Sequence, residues 1–295
     1  MSYPGFPHLP LIEPERLERC RTSGDFRSVL FDWYRYSGQI ALALACIHPD
    51  SPEVRDIPAV RFSTFVGLLN RCSRLILANM RLASTGRYGE TTRLIDRCIA
   101  ESAIKALWLM DDPKGERLRV YMADSVRAEF ALRDEIARNV TARGGVTQKI
   151  EARMLQSATR TIASTGLDEA TLQSTKRLPD MRSLMFQVGL DARAYLAVQR
   201  MGSHSIHGTW TDLVQCYLIE EPETGYFLPR DLEIATHHNQ FVMISLLVFD
   251  ASRNFVKSVL HDSTDSQEIL ALIDAAFSAV SGIESEDSAL DFEPA

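Results

Sequence analysis

Apolar residues recur at intervals of three and four over most of the chain, which is the pattern of helices with one buried face. Proline and glycine separate these stretches and predict where helices begin and end. The pattern predicts helices over about residues 25–47, 58–85, 90–111, 114–143, 147–164, from Pro179 into a stretch that begins at Arg200, 229–259 and 265–281, with a short helix and a loop in 167–177. Residues 214–228 are the exception, because a small hairpin and an irregular loop are equally expected there. The chain is therefore predicted to be all-α, an elongated antiparallel multi-helix bundle.

The chain of 295 residues is long enough for one large helical domain, which we place at 14–283. Its 45% of hydrophobic and 24% of charged residues are ordinary for a globular protein. Residues 1–13 are rich in proline and are predicted to form an extended arm. Residues 284–295 are acidic and poor in apolar side chains, and they are predicted to form a flexible tail.

Charge and cysteine usage narrow the function classes. The formal net charge of −7 argues against a protein that coats nucleic acid non-specifically, although arginines cluster between residues 71 and 97. The five cysteines form no C-x-x-C pair and are expected to be free thiols in a reducing cytoplasm. The N-terminal residues lack the features of a signal peptide, and no uninterrupted apolar run approaches the length of a membrane span. A cytoplasmic protein is predicted.

The stretch from Arg200 to His207 concentrates groups that can do chemistry near neutral pH. It contains Arg200, Ser203, His204 and His207 within eight residues. On a helix, Arg200 and His204 are four apart and the two histidines three apart, so all three would share a face. One histidine can move a proton from or to an RNA ribose oxygen while the arginine neutralises the phosphate, so these are candidate residues for metal-free RNA cleavage.

Two other interpretations of this stretch stay open. Ser203 and His207 could hydrogen-bond neighbouring helix ends and fix a kink at Gly202, a purely structural role. Alternatively, His204 and His207 could bind zinc together with His237 or His238 and with Glu101, although His-x-x-His lacks the intervening glutamate of the usual helical zinc motif. The sequence has no phosphate-binding loop, dinucleotide fingerprint or nucleophile elbow, so no cofactor is predicted.

A polar stripe runs along the helix predicted over 90–111. Arg93, Arg97, Glu101 and Lys105 follow one another at intervals of four. Such charges usually form the solvated face of a helix. The neighbouring Trp108 indicates that this part is partly buried, so Arg97 and Glu101 could instead turn inward and meet the stretch that begins at Arg200.

These two segments resemble a known family. The residues Leu94 to Glu101 through Trp108-Leu109, and later Tyr195 followed by Ser203-x-x-x-His207, are similar to an uncharacterised family of bacterial and phage-borne helical proteins, known only as a domain of unknown function. The pattern is an arginine with a glutamate four residues on, then a tyrosine, then Ser-x-x-x-His. The resemblance covers about residues 60–260.

That family in turn resembles the HEPN helical domains of toxin–antitoxin, abortive-infection and CRISPR-associated ribonucleases. These carry an arginine followed four to six residues later by a histidine, which Arg200 and His207 match at the upper limit. HEPN nucleases place a polar residue directly after the arginine, where this chain has Met201. Members without the full motif are non-catalytic binding domains.

The resemblance implies a metal-independent endoribonuclease in phage defence or growth arrest. Arg200 would hold the phosphate, His207 would be the general acid or base, and His204 or Ser203 would assist. Arg97, Glu101 and Tyr195 would support them. RNA, a second copy in a homodimer, and an antitoxin or defence-system protein are the partners it implies. The alternatives are a non-catalytic helical binding or scaffold protein and a His-ligated metal enzyme.

Overall fold

The structure is a computed structural model that describes residues 6–200, 206, 208–231 and 233–290. Helices dominate it, so the predicted all-α class is confirmed. The helices are α1 (Pro14–Ser23), α2 (Arg27–Ala45), α3 (Ala59–Ala83), α4 (Gly89–Met110), α5 (Glu116–Ser125), α6 (Arg127–Ala142), α7 (Lys149–Ser164), α8 (Glu169–Ser174), α9 (Met181–Gln187), α10 (Ala192–Arg200), α11 (Trp210–Asp212), α12 (His238–Val259) and α13 (Thr264–Leu290). A π-helical turn (Leu213–Tyr217) leads from α11 into strand β1 (Leu218–Glu220), which pairs with β2 (Phe227–Pro229).

The described residues form two compact units, and unit 1 contains those up to 57, 62–111 and from 181 onward. Helix α12 lies at its centre and packs against α2, α4 and α13. This helix is apolar on most of its surface, as expected of a helix surrounded by others. Among the described residues, the largest fully buried side chains all belong to this unit: Phe26, Leu30, Tyr34, Tyr36, Ile40, Leu44, Phe65, Leu69, Ile76, Ile99, Phe249 and Phe255.

Unit 2 consists of residues 58–61 and 112–180. Its helices α5, α6, α7 and α8 enclose a small core of buried apolar residues, with Phe130 and Leu167 packed against it. The buried members are Ala123, Val126, Ile162 and Leu172. The guanidinium of Arg61 donates to the carbonyls of Asp112 and Pro113, which ties the two parts of this unit together. The predicted single domain over 14–283 is not tested by this division and stays a prediction.

The helix predicted over 114–143 is instead two helices. Val126 leaves the helical conformation with ψ near 1° and separates α5 from α6. Its side chain is buried in the core of unit 2. No glycine or proline marks this position, so tertiary packing decides the break and the sequence carries no signal for it.

The helix predicted to run from Pro179 to Arg200 is also two helices, α9 and α10. Gly189 lies between them with a φ of +83°, a left-handed conformation that ends a helix. The change of direction alters which side chains are inward. The spacing of Leu184, Met185 and Leu196 predicts that all three face inward on one helix. Leu184 and Met185 of α9 are buried, whereas Leu196 of α10 is 58% exposed, so the prediction for Leu196 is wrong.

The last two helices differ from their predicted bounds. Pro229 ends strand β2, and α12 begins only at His238, with His237 and Gln240 forming a capping box. Residues 234 and 236, before this helix, instead form hydrogen bonds with the start of α4 and the turn that precedes it. Gly89 donates to the Ile234 carbonyl at 2.7 Å, and the Thr236 hydroxyl donates to the Arg87 carbonyl at 2.9 Å. Helix α13 continues past Glu284 to Leu290.

Helix α13 contains one segment, Thr264–Ser285, that is long and apolar enough to cross a membrane by length and composition alone. The segment packs on α12 and α2. Its buried residues recur at helical intervals on one face: Ile269, Ile273, Ala276, Val280 and Ile283. That spacing is typical of an amphipathic helix in a protein core. The predicted cytoplasmic location stays a prediction.

Candidate functional site

Helix α4 carries the polar stripe on an otherwise buried surface. Glu101 forms ion pairs with both neighbours on the stripe, with Arg97 Nη2 at 3.2 Å from Oε1 and Lys105 Nζ at 3.8 Å from Oε2. The side chains of Arg97 and Glu101 are only 17% and 32% exposed. Charges in such a partly desolvated position interact more strongly than those of a fully solvated helix face. The stripe is therefore a half-buried network of ion pairs.

Two contacts of α4 flank this network. At one end, the indole Nε1 of Trp108 donates to Gln187 Oε1 of α9 at 2.7 Å. At the other end, Arg93 Nη1 lies 4.0 Å from Cys216 Sγ in the π-helical turn. Trp108 and Arg93 are about four turns of helix apart, roughly 22 Å. The part of the chain between Gln187 and Cys216 therefore begins at a contact with one end of α4 and ends at a contact with the other. Arg97 and Glu101 lie between these two contacts on α4.

The predicted catalytic residues are only partly covered by the structure. Arg200 is the last residue of α10, and Ser203, His204 and His207 lie outside the described residues. Tyr195 of α10 lies under the guanidinium of Arg182, with Cζ 5.5 Å from the centre of its ring. The described contacts thus pair Arg97 with Glu101 and place Tyr195 against α9. That Arg97 and Glu101 meet the stretch that begins at Arg200 stays a prediction.

A second polar cluster, which the sequence analysis did not predict, lies at the centre of unit 1. Asp96 of α4 is fully buried and accepts hydrogen bonds from three helices. The donors are the Tyr34 hydroxyl at 2.9 Å, Asn79 Nδ2 at 2.8 Å and Gln240 Nε2 at 3.2 Å. We call these four residues the Asp96 cluster. Within the described part of the chain Asp96 forms no ion pair.

Asp96 is buried and has no cation among its described partners, and this environment decides whether its carboxyl is protonated. Desolvation raises the pKa of Asp96 to about 8, against the opposing effect of its three donors. Desolvation, and then the nearby carboxyl, also hold the pKa of Tyr34 well above its usual value. The carboxyl is therefore mostly protonated at neutral pH. Asn79 Oδ1 is buried and accepts no hydrogen bond from the described residues, so rotation of this amide would give the protonated carboxyl an acceptor.

The Asp96 cluster left a faint signal in the sequence. Asp96 precedes Ile99 and Ala100 by three and four residues, so it belongs to the buried face of α4. A lone acid on such a face predicts a buried, hydrogen-bonded carboxyl. Its partners come from other helices and could not be deduced from spacing.

An apolar groove in unit 1 is bounded by α9, α10, α12 and α13 and has a volume of about 520 Å³, within the range of small-molecule sites. Its floor is a stripe on α12 that includes Val242, Met243, Leu246 and Leu247. The charged residues at its walls are Arg193, Asp250 and Glu284. Arg253 pairs with Asp250 at 2.9 Å. The guanidinium of Arg193 takes part in no ion pair with another described residue.

No group of three or more His, Cys, Asp and Glu among the described residues has the arrangement of a metal site. Because His204 and His207 are outside that set, the metal-enzyme alternative is not tested. All five cysteines are free thiols. Three of them are buried: Cys20, Cys72 and Cys216.

The fold and the half-buried polar stripe define an all-α protein with a network of ion pairs on α4, one of its central helices. The chain belongs to a family of unknown function, DUF5677, whose model matches residues 62–226, more than half of the chain. The predicted resemblance to an uncharacterised domain family is thereby confirmed. The matched range contains the α4 stripe, Asp96 and all the predicted catalytic residues. No curated protein and no solved structure matches the chain.

Proposed function

We propose that this protein is HEPN-like and cleaves RNA without a metal ion, as part of phage defence or growth arrest. In this proposal Arg200 contacts the scissile phosphate and His207 is the general acid or base. His204 or Ser203 assists, and the pair Arg97 and Glu101 orients these groups. Two copies acting together, and an antitoxin or defence-system partner, belong to the same proposal.

The observation that carries this proposal is the place of the Arg97–Glu101 pair. It is half-buried between the two contacts of α4 that precede and follow the predicted catalytic stretch in the chain. The segment from Gln187 to Cys216 contains the predicted catalytic residues. The residues at its two ends contact α4 on either side of Arg97 and Glu101. Arginines on the stripe also supply local positive charge in a chain whose net charge is −7.

The chemistry needs only residues of this chain. A base removes the proton of a ribose 2′-hydroxyl, and the 2′-oxygen forms a bond to phosphorus. The bond from phosphorus to the 5′-oxygen breaks, and an acid protonates that leaving oxygen. The products are a 2′,3′-cyclic phosphate and a 5′-hydroxyl. Arg200 would neutralise the charge that develops on the phosphoryl oxygens.

The test is cleavage of a labelled RNA by the purified protein in excess EDTA. Arg200→Ala and His207→Ala are compared with the wild type. Arg160→Ala and His261→Ala are the matched controls, because both remove an exposed residue of the same type outside the proposed site. We expect cleavage by the wild type and by both controls, and a loss of at least about 100-fold in the two site variants.

Thermal unfolding of every variant separates chemistry from folding. A site variant that loses cleavage but keeps the unfolding temperature of the wild type supports a catalytic role. Loss of cooperative unfolding in His207→Ala would make that histidine structural. The absence of cleavage by a folded wild type, or equal cleavage by all five proteins, would refute the ribonuclease.

The apolar groove favours a second candidate, a non-catalytic binding protein. Its occupant would be a small ligand with an apolar body and one anionic group. The body would lie on Val242, Met243 and Leu246, and Arg193 would meet the anion. Glu284 lies at the same groove and would repel a second negative charge on the ligand.

The probe for this candidate is 1-anilinonaphthalene-8-sulfonate, which has such a body and one sulfonate. Ala197→Phe would fill part of the groove, and Ala152→Phe at an exposed position of α7 is its control. We expect only the first to weaken binding, by about tenfold or more. Equal binding by both variants would place the probe elsewhere and remove the support for this candidate.

A further inference from the structure

The β1–β2 hairpin exposes one apolar face. The register pairs Ile219 with Leu228, and backbone hydrogen bonds continue the ladder to the pairs Glu221–Tyr226 and Tyr217–Arg230. Side chains of directly opposite residues and of every second residue lie on the same side of a sheet. These six residues therefore share one face, which we call the hairpin face.

Four of the six are large apolar side chains that the described residues leave uncovered. Tyr217 is 45% exposed, Ile219 54%, Tyr226 70% and Leu228 45%. The opposite face is different, because Phe227 there contacts the ring of Trp210 at 5.2 Å. A two-stranded hairpin is marginally stable in water unless something packs on it, and a clustered apolar patch marks an interaction site.

The charges on the hairpin face indicate what covers it. Glu221 lies at the turn end and Arg230 at the opposite end, and neither forms an ion pair with a described residue. The face thus has an apolar centre and one charge of each sign at its two ends. When two copies of the hairpin face pack on each other with their strands reversed end for end, the negative end of each lies over the positive end of the other.

We propose that the hairpin face binds the hairpin face of a second copy of this chain around a two-fold axis perpendicular to the strands. Ile219 and Leu228 would meet their own counterparts at the centre. Glu221 would lie diagonally opposite the second copy's arginine at position 230, and Arg230 over its tyrosine at position 226, a favourable cation–π geometry. A two-fold axis parallel to the strands would instead bring the two glutamates together.

The proposed dimer depends on the hairpin face alone and not on RNA cleavage. If the protein is a ribonuclease and also forms this dimer, the hairpin face is the contact through which the two copies act together. If the protein cleaves no RNA, the interface is unaffected, because its test measures association only. The face is small, so the expected dimer is weak and depends on concentration.

The test is sedimentation equilibrium of the full chain with two charge reversals, Glu221→Arg and Arg230→Glu. In a dimer of either variant alone, positions 221 and 230 of the two copies carry like charges. We expect the dissociation constant of that dimer to be at least about tenfold higher than that of the wild type. A mixture of the two variants restores both opposite-charge contacts, so it should dimerise about as well as the wild type. The double variant in one chain should do the same.

Substitution of two apolar residues tests whether the centre of the hairpin face holds the dimer together. Ile219→Ser combined with Leu228→Ser should abolish the dimer, whereas Leu77→Ser, on an equally exposed apolar residue of α3, should not. Circular dichroism confirms that the variants are folded. A monomeric wild type at all concentrations, or charge-reversed variants that associate with themselves as well as with each other, would overturn the proposal.

Discussion

Asp96 makes the stability of this protein depend on pH in an unusual direction. Its folded-state pKa of about 8 lies above the value of 3.8 that it has when exposed. Between these values the folded protein binds the proton and the unfolded chain does not. The stability that the proton contributes is complete below about pH 4 and is lost as the pH rises through 8.

We therefore expect the free energy of unfolding to fall between pH 5 and pH 8.5, by an amount on the order of a few kcal/mol from this residue. Asp96→Asn cannot titrate, so its stability should change less over the same range. Chemical denaturation at a series of pH values measures both slopes. Parallel curves for the two proteins would show that Asp96 does not hold the proton.

Gly89 is required for a close contact between two backbone segments. It donates to the carbonyl of Ile234, and a Cβ at this position would overlap the carbonyl of Ala235. We expect Gly89→Ala to destabilise the protein by about 1–3 kcal/mol. Gly67→Ala is the control, because a Cβ there meets no atom within 4 Å and alanine is the better helix former, so it should stabilise by about 0.5–1 kcal/mol. Urea denaturation measures the free energy of unfolding of both variants. Equal changes in that free energy would contradict the close contact at Gly89.

The ion-pair network on α4 separates the two main functional interpretations. Glu101→Gln keeps the shape of the side chain and removes its charge from both Arg97 and Lys105. If the pair orients catalytic groups, RNA cleavage should fall by about tenfold or more, while stability changes by less than about 1 kcal/mol. Glu135→Gln, which breaks an exposed ion pair with Arg138 on α6, should leave cleavage unchanged. A Glu101→Gln variant with full activity would show that this pair does not orient catalytic groups.

Long helices were predictable because their pattern repeats many times. Helices α2, α3 and α4 begin and end within two residues of their predicted bounds. The breaks at Val126 and before His238 were not predictable, since they depend on contacts made by residues distant in sequence. The candidate site shows the same division: the Arg97–Glu101 pair follows from spacing within one helix. The Asp96 cluster joins residues 34, 79, 96 and 240, a combination that no local pattern contains.

The two units of the molecule have cores of very different size. Unit 2 has only seven buried apolar residues, one of which is Ile162, 6% exposed. Ile162→Ala should destabilise this unit by about 2–5 kcal/mol through the lost apolar contact and the cavity. Limited proteolysis should then cut first within 112–180 and leave unit 1 protected for longer. Simultaneous loss of both units would show that they unfold as one.

Unit 2 interrupts unit 1 between the end of α4 and the start of α9, two helices that contact each other within unit 1 through Trp108 and Gln187. The points where the chain leaves and re-enters unit 1 therefore belong to one packed pair of helices. Residues 112–180 thus occupy the place in the chain where an inserted segment would stand, between two helices of unit 1 that contact each other. Such a segment can lengthen, shorten or diverge in related genes without disturbing the frame around it. Length differences among family members are thus expected there, whereas α4 and α9 are expected to keep their spacing.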